Sequence, residues 1–168
     1  MPSESNPASL RPATPADLPA IAAIWLAGWR ESHAAHVPAA LAAARTPASF
    51  AERAARRITD ATVAVADGAV AGFVMIAGDE LDQVYVAPAQ RGTGLAAALL
   101  AEAVRLIAAA GHRTAWLAVI APNARARRFY ERCGWTDAGP FDYPARVDGG
   151  TIPVRCHRYI KPCYSGTE

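Results

Sequence analysis

The stretch Val84-Tyr85-Val86-Ala87-Pro88-Ala89-Gln90-Arg91-Gly92-Thr93-Gly94-Leu95-Ala96 decides the fold of this chain. It is typical of a strand, a short loop and two glycines that open a helix. Glycine lets a backbone turn tightly and approach a ligand closely. The first N–H groups of a helix have no internal partner, and the helix dipole favours an anion there. The stretch therefore predicts a phosphate or pyrophosphate site.

A dinucleotide site is one alternative, because residues 92–97 also satisfy the pattern G-x-G-x-x-A. That interpretation needs an acidic residue about 20 positions later, on the next strand. The next predicted strand, Thr114–Ile120, contains no acid. A G-x-x-x-x-G-K-[ST] motif is absent from the sequence, which disfavours a nucleotide P-loop. A purely structural turn is the other alternative, but the coincidence of Arg91, two glycines and a preceding strand favours a ligand site.

A second landmark combines Asn123 and Tyr130, which lie seven residues apart. This spacing is about two helical turns, so both side chains share one face of a predicted helix. Asn123 directly follows a buried strand, where its side chain can bind a polar ligand arm. It can also act as a helix N-cap, and the two roles can coexist. Tyr130 alone would be interpreted as a core aromatic, but its spacing from Asn123 favours a functional role.

These two segments together resemble the signatures of the GCN5-related N-acetyltransferase (GNAT) family. The matching patterns are Arg91-x-x-Gly94-x-Ala96 and Asn123-x-x-Ala126-x-x-x-Tyr130-x-x-x-Gly134-Trp135. The resemblance covers about residues 10–161. It implies an α+β fold with a mixed, mostly antiparallel central sheet flanked by helices. It also implies transfer of the acetyl group of acetyl-CoA to a primary amine, by direct attack in a ternary complex.

The resemblance assigns roles to individual residues. In the family the glycine turn holds the CoA pyrophosphate, and the main chain of the preceding strand pairs with the pantetheine arm. Tyr130 is implied as the general acid, since its pKa of about 10 makes proton transfer to a thiolate of about 8.5 only mildly uphill. A backbone N–H near Val86 would meet the oxyanion. The implied cofactor-binding residues are Val84, Val86, Arg91, Gly92, Gly94, Leu95, Ala96 and Asn123.

For the general base of the predicted site, the sequence leaves several candidates. A primary amine is protonated near neutral pH and must lose a proton before it attacks a thioester. Many family members use a glutamate on one of two strands, and here Thr114–Ile120 offers none. Glu80 and Asp82 are two residues apart, so they point to one face of their strand. Glu80 is preferred for its longer side chain, while Asp82, water or a purely structural role for both acids remain open.

The acceptor pocket is implied to lie among the first two helices and the last hairpin. Trp29 and Tyr143 are the predicted substrate contacts, whereas Trp25 is interpreted as a core residue. His33 and His36 have no third ligand nearby, so no metal is predicted. A small amine, an amino acid, an antibiotic or a protein N-terminus all remain open as acceptors. The other aromatic candidate on this side is Phe141.

Composition limits the remaining possibilities. The chain has 168 residues, 52% of them hydrophobic, and a formal net charge of +2, so it fits one domain with no reason to expect nucleic acid or a membrane surface as partner. Three cysteines without a C-x-x-C pair fit a reduced, cytoplasmic setting. We expect a flexible leader at 1–9, one acetyltransferase domain at 10–161 and a tail at 162–168. A domain of this size also allows a homodimer.

The element order follows from the same patterns. Thr14-Pro15 begins a helix whose apolar stripe is Leu18, Ile21, Trp25 and Trp29. Asp67-Gly68 is a favoured two-residue hairpin turn. Thr114–Ile120 is continuously apolar and is expected to be buried on both faces. Further helices are predicted at about 46–59, 95–110 and 124–133, and strands at 62–66, 69–77, 81–86, 135–138 and 152–160.

Two functions of other classes stay open. A catalytically silent CoA-binding or sensory module would keep the glycine turn but lack a working base. A dinucleotide-binding oxidoreductase is disfavoured by the missing acid, and a test of NAD(P) binding separates it from the others.

Overall fold

A computed structural model describes residues 8–163 of the chain. Most of the predicted leader and tail, 1–7 and 164–168, lies outside the described residues. The first strand begins at Ser9 and the last ends at Pro162, one residue beyond each predicted domain boundary. The elements in chain order are β1 (Ser9–Pro12), α1 (Leu18–Ser32), α2 (Ala39–Ala44), α3 (Pro47–Arg56), β2 (Ala61–Ala66), β3 (Ala69–Ala77), β4 (Glu80–Val86), α4 (Leu95–Ala109), β5 (Thr114–Ile120), α5 (Ala124–Arg132), β6 (Thr136–Val147) and β7 (Gly150–Pro162).

One seven-stranded sheet organises the fold, in the order β1-β2-β3-β4-β5-β7-β6. Neighbouring strands are antiparallel except for β4 and β5, which are parallel. The α+β prediction with a mixed, mostly antiparallel sheet is therefore confirmed. Parallel neighbours need a crossover connection, and α4 supplies it between β4 and β5.

The parallel pair is joined only at its beginning. Its ladder contains a single register pair, Glu80 with Trp116. The Trp116 N–H donates to the Asp79 carbonyl at 3.1 Å, and beyond this point the two strands diverge. The sheet therefore opens into a gap at the carboxyl ends of β4 and β5.

A hydrophobic core lies on each face of the sheet. On one face, α4 buries Leu99 and Ile107 against Leu117 of β5. On the other, α1 and α3 bury Trp25 and Phe50. The core interpretation of Trp25 agrees with its exposure of 1%. Because the helices cover both faces, the gap between β4 and β5 is bounded above and below.

The predicted turns and most element positions are confirmed. Asp67 and Gly68 both have positive φ, 52° and 78°, as a type I′ hairpin turn requires. Thr14 and Asp17 form a capping box, although a short 3-10 turn precedes α1. The second predicted helix ends at Arg56, short of the predicted position 59, and a 3-10 turn follows it. The short helix α2 was not predicted.

Two expectations about strands were wrong. β5 is not buried on both faces: Trp116 and Ala118 are only half-buried, because that face borders a cleft. The last two strands are much longer than the predicted 135–138 and 152–160, since β6 and β7 form one hairpin of 12 and 13 residues. β6 contains Pro140 and Pro144, which lack the N–H that a central strand would need. β6 is an edge strand, where proline is tolerated.

Helix α1 approaches β4 closely at Gly28. A Cβ at Gly28 would lie 2.2 Å from Cδ1 and 2.7 Å from Cε1 of Tyr85. Alanine is ordinarily the better helix residue by about 0.5–1 kcal/mol. We expect the clash to outweigh that gain, so that Gly28→Ala lowers the free energy of unfolding by about 1–3 kcal/mol. Urea unfolding measures this change.

The matched control for Gly28 removes the ring that the new methyl group would meet. In a Tyr85→Ala background, Gly28→Ala should be neutral or stabilising, because only helix propensity then remains. Equal destabilisation in both backgrounds would show that Tyr85 is not the cause.

Candidate active site

A single cleft of about 1860 Å³ contains every predicted site residue. It runs from the glycine turn at the start of α4, through the gap between β4 and β5, to a chamber bounded by α1, α3 and the β6–β7 hairpin. The fold thus brings together side chains that are far apart in sequence. The predicted residues that line it are Trp29, Glu80, Val84, Val86, Arg91, Gly92, Gly94, Leu95, Ala96, Asn123, Tyr130 and Tyr143.

The glycine turn presents a row of free N–H groups. Gly92 and Gly94 have φ of 76° and 83°, in the left-handed region, and Gly94 is the N-cap of α4. The first main-chain bond of the helix runs from the Ala98 N–H to the Gly94 carbonyl, at 3.1 Å. Within residues 8–163, the six N–H groups at positions 92–97 have no acceptor. Nothing lies within 4 Å of a Cβ built at either glycine, so the turn is open to a ligand.

The wall of the gap formed by β4 also offers free main-chain groups. The Ala87 N–H donates to the Ala71 carbonyl at 2.8 Å. In an antiparallel pair such bonds recur at alternate residues, so alternate residues of β4, counted backwards from Ala87, are hydrogen-bonded to β3. Val84 and Val86 lie between those residues and direct their N–H and C=O groups towards β5. Because β5 has diverged at this level, these groups are available to an extended ligand with amides of its own.

Arg91 lies at the mouth of the cleft and pairs with Glu31 of α1. One of its guanidinium nitrogens, Nη1, donates to Glu31 Oε1 at 3.0 Å, and Nη2 contacts Oε2. Both side chains are exposed, by 38% and 59%. Water screens such an exposed pair, so exchanging Glu31 for a phosphate would cost little.

Glu80, Asp82 and Tyr143 form a hydrogen-bonded cluster deeper in the cleft. The Tyr143 hydroxyl donates to Glu80 Oε1 at 2.7 Å and lies 3.3 Å from Asp82 Oδ1. Burial, with a smaller contribution from the nearby Asp82 charge, raises the pKa of Glu80 to about 7, although the Tyr143 hydrogen bond opposes this rise. Asp82 instead accepts a hydrogen bond from Arg57 and forms an ion pair with it. Glu80 is therefore the carboxyl group of this cluster that titrates near neutral pH.

Asn123 and Tyr130 border the same cleft from α5. Asn123 is the N-cap of this helix, since its Oδ1 accepts a hydrogen bond from the Ala126 N–H at 3.1 Å. The Tyr130 hydroxyl has no hydrogen-bond partner in the part of the chain that the structure describes, and the residue is half-buried. Burial raises the pKa of Tyr130 to about 12, so its hydroxyl remains protonated at neutral pH and can donate.

Trp29 offers little surface to a substrate. It is 7% exposed and stacks on His33, with ring centroids 6.0 Å apart and planes at 6°. Burial lowers the pKa of His33 to about 4, so this imidazole is neutral at pH 7. With His33 neutral, charge on the acceptor side is held by carboxylates, among them those of the Glu80 cluster, and by arginines.

Sequence reasoning missed three of those arginines. Arg53 of α3, Arg57 directly after α3 and Arg158 of β7 all line the cleft. The Arg158 guanidinium lies over the Trp116 ring, 4.1 Å from its centroid. The available signal was weak: Arg53 and Arg57 follow Phe50 at helical spacing, beside the apolar stripe of α3. Nothing local indicated that α3 would face β4.

Within residues 8–163, no group of three or more His, Cys, Asp or Glu side chains is placed to hold a metal ion. In the same part of the chain, no helix is long and apolar enough to cross a membrane.

The fold and the cleft define a class of protein. A splayed parallel strand pair, followed by a glycine turn with free N–H groups, suits a ligand that has both amides and phosphates. The chain belongs to the acetyltransferase (GNAT) family, whose model matches residues 19–135. This match confirms the family resemblance of the two sequence signatures.

Curated relatives cover only part of the chain. Uncharacterized N-acetyltransferases of Mycobacterium bovis and Mycobacterium tuberculosis are 40% identical over 74 residues, which is 41% of this chain and 47% of theirs. The chain thus spans about half the length of the curated relatives it matches.

Solved structures agree with the fold over nearly the whole chain. A putative acetyltransferase from Salmonella typhimurium, with its cofactor acetyl-CoA, has a TM-score of 0.71 at 18% identity and covers 97% of this chain and 98% of its own. A phosphinothricin acetyltransferase from Sinorhizobium meliloti, in complex with acetyl-CoA, has a TM-score of 0.71 at 22% identity, with 95% and 90% covered. At these identities the likeness shows the fold alone.

Proposed function

We propose that the protein is an N-acetyltransferase that transfers the acetyl group of acetyl-CoA to a primary amine. The observation that carries this proposal is the continuity of the cleft. Free N–H groups at 92–97, free main-chain groups on β4 and the Glu80 cluster follow one another along it. Family membership supports the same activity.

Acetyl-CoA matches the order of these features. The free N–H groups at the start of α4 suit the pyrophosphate, because a helix N-terminus favours an anion. Val84 and Val86 would pair with the amides of the pantetheine arm, and Asn123 lies on the opposite wall. Arg91 would leave Glu31 for a phosphate. This arrangement would leave the thioester near Tyr130 and the acceptor near Glu80.

Glu80 is the proposed general base. Its pKa of about 7 places it where a base is most effective at physiological pH, since a substantial fraction is deprotonated and the carboxylate is still basic. Asp82 is a poorer candidate, because Arg57 holds it as an ion pair. A working base would distinguish this protein from a silent CoA-binding module.

The reaction would proceed by direct attack. An ammonium acceptor loses a proton to Glu80, and the amine nitrogen forms a bond to the thioester carbonyl carbon. The charge on the carbonyl oxygen would be met by the Val86 N–H. The C–S bond then breaks, and Tyr130 donates a proton to the departing thiolate. The second proton of the acylated nitrogen restores the Tyr130 hydroxyl, and Glu80 releases its proton to solvent. The products are an N-acetylated amine and CoA with a free thiol.

Loss of the Tyr130 hydroxyl is expected to slow turnover. Tyr130→Phe should lower kcat for thiol release by about 10²-fold, because the thiolate must then leave without a positioned acid. The measurement is release of CoA thiol from acetyl-CoA in the presence of an amine panel. The matched control is Tyr159→Phe, which removes a buried hydroxyl outside the cleft.

The same assay tests the proposed function as a whole. Thiol release that depends on an amine supports a transferase. Binding of acetyl-CoA without release for any amine would point to the silent module, and unchanged release by Tyr130→Phe would remove Tyr130 from the mechanism. A homodimer, a cytoplasmic location and the choice between a small molecule and a peptide stay predictions.

A further inference from the structure

Arg53 is a cation in the acceptor chamber, and among residues 8–163 it has no anionic partner. It lies on α3, and its guanidinium carbon is 4.2 Å from the centroid of the Trp25 ring and 5.5 Å from that of Phe50. This stacking fixes the plane of the guanidinium group. The rings contact only its faces, so the N–H groups at its edge still need acceptors.

At least one of those edge donors lacks an acceptor in the part of the chain that the structure describes. Nη1 of Arg53 is buried and has no hydrogen-bond partner there. Nε1 of Trp25, on the ring beneath, is buried and unpartnered as well. No hydrogen bond or salt bridge joins Arg53 to another residue in the range 8–163, and the residue lines the cleft. Unmet buried donors are costly, so a ligand that supplies an acceptor is favoured.

Two arginines beside Arg53 are already engaged. Arg57 pairs with Asp82, and Arg45 donates from Nη2 to the Arg146 carbonyl at 2.7 Å. Arg158 lies on β7, where it stacks on Trp116. Burial first, and then the Arg45 charge, lower the pKa of Arg53 to about 10, so it remains a cation at neutral pH. Of Arg45, Arg53 and Arg57, Arg53 is thus the guanidinium that is left for a ligand.

The chamber therefore has an acidic and a basic end close together. Asp82 shares the Tyr143 hydroxyl with Glu80 and pairs with Arg57, which follows Arg53 by one helical turn. One short ligand can span these groups, with its amine at Glu80 and an anion at Arg53. A planar guanidinium binds carboxylates and phosphorus oxyanions through paired N–H groups.

We propose that the acceptor is a small zwitterionic amine, such as an amino acid, whose carboxylate or phosphorus oxyanion binds Arg53. This inference rests on the proposed acetyl transfer and names its substrate class. The phosphates of CoA are a weaker match for Arg53, because the glycine turn has its own cation, Arg91. A long polyamine is disfavoured by the same unpaired positive charge.

The test compares acceptors that differ only in the anion. CoA thiol release is measured with the twenty L-amino acids, with aminoalkylphosphonates, and with the carboxamide of each amino acid, which keeps the amine but removes the negative charge. We expect the best acid to exceed its own amide by about 10²-fold in kcat/KM. Arg53→Met should lower kcat/KM for the acid by a similar factor and leave the amide within about threefold.

Two control variants separate the role of Arg53 from a general effect of positive charge. Arg105→Met removes one positive charge from α4, outside the cleft, and should leave the ratio of acid to amide unchanged. Arg53→Lys keeps the charge without the paired donors and should fall between wild type and Arg53→Met. Acetyl-CoA titration of each variant checks that it is folded.

The results separate this inference from the function on which it rests. Equal rates for acids and amides in the wild type would overturn the inference while leaving acetyl transfer intact. A preference that survives in folded Arg53→Met would assign it to another residue and overturn the role of Arg53. Absence of thiol release with any amine would overturn the transferase itself. The wild-type ratio remains decisive even where Arg53→Met does not fold.

Discussion

Glu80→Gln is expected to lower kcat/KM for amine-dependent thiol release by about 10²–10⁴-fold, the usual contribution of a positioned general base. Glutamine keeps the size of the side chain and can still accept a hydrogen bond from Tyr143, but it cannot take a proton from an ammonium acceptor. The measurement is the initial rate of thiol release with the best amine of the panel, at saturating acetyl-CoA.

The pH profile gives this prediction a second readout. The wild-type kcat/KM should rise with pH and level off above about 7, as Glu80 loses its proton. This rise of kcat/KM with pH should be absent in Glu80→Gln. Tyr143→Phe should shift the midpoint of this rise to a pH about one unit higher, because the lost hydrogen bond had stabilised the charged carboxylate.

The thermal stability of Glu80→Gln distinguishes loss of the general base from loss of the fold. The folded-state pKa of Glu80, about 7, exceeds its ordinary value of 4.5, so the native state binds this proton more tightly than the unfolded chain does. Stability from this group therefore falls as pH rises from about 4.5 to about 7. At pH 8, Glu80→Gln should melt no lower than the wild type. Full activity in a folded Glu80→Gln protein would show that another group accepts the proton.

Gly94→Trp is expected to weaken acetyl-CoA binding by at least about 10²-fold. Gly94 has a φ of 83°, and no atom lies within 4 Å of a Cβ built there. The indole would therefore occupy the space in which a phosphate meets the free N–H groups. The left-handed backbone adds a cost of about 1–2 kcal/mol in stability. Calorimetric titration with acetyl-CoA measures the affinity.

Gly111→Trp is the matched control for Gly94→Trp. Gly111 also has a positive φ, 97°, and open space around its Cβ, but it follows α4 at the far end, outside the cleft. The two variants should lose similar stability, and only Gly94→Trp should lose acetyl-CoA affinity. Unimpaired binding by folded Gly94→Trp would exclude the glycine turn as the phosphate site.

The parts of the fold that depend on local chemistry were predictable from sequence. Asp67-Gly68 and Gly94 require backbone conformations that few other residues adopt, so their turns appear at the predicted positions. The α4 helix follows directly from the apolar run after Gly94. The candidate cleft was located for the same reason, since its two signature segments flank β5.

The remaining features depend on contacts distant in sequence. Pro140 and Pro144 argue against a strand locally, and only the position of β6 at the sheet edge makes them acceptable. Tyr143 was predicted as a substrate contact, yet its hydrogen bond to Glu80 joins residues 63 positions apart. The unpartnered state of Arg53 is likewise invisible until α3 packs against Trp25.

The most direct test of the central claim is calorimetric titration of the wild-type protein with acetyl-CoA, with NADH and NADPH as parallel ligands. Our account predicts saturable binding of acetyl-CoA and none of either dinucleotide, since no acid follows the glycine turn on β5 to hold a ribose. Binding of NADH or NADPH without binding of acetyl-CoA would contradict the account and assign the turn to a dinucleotide.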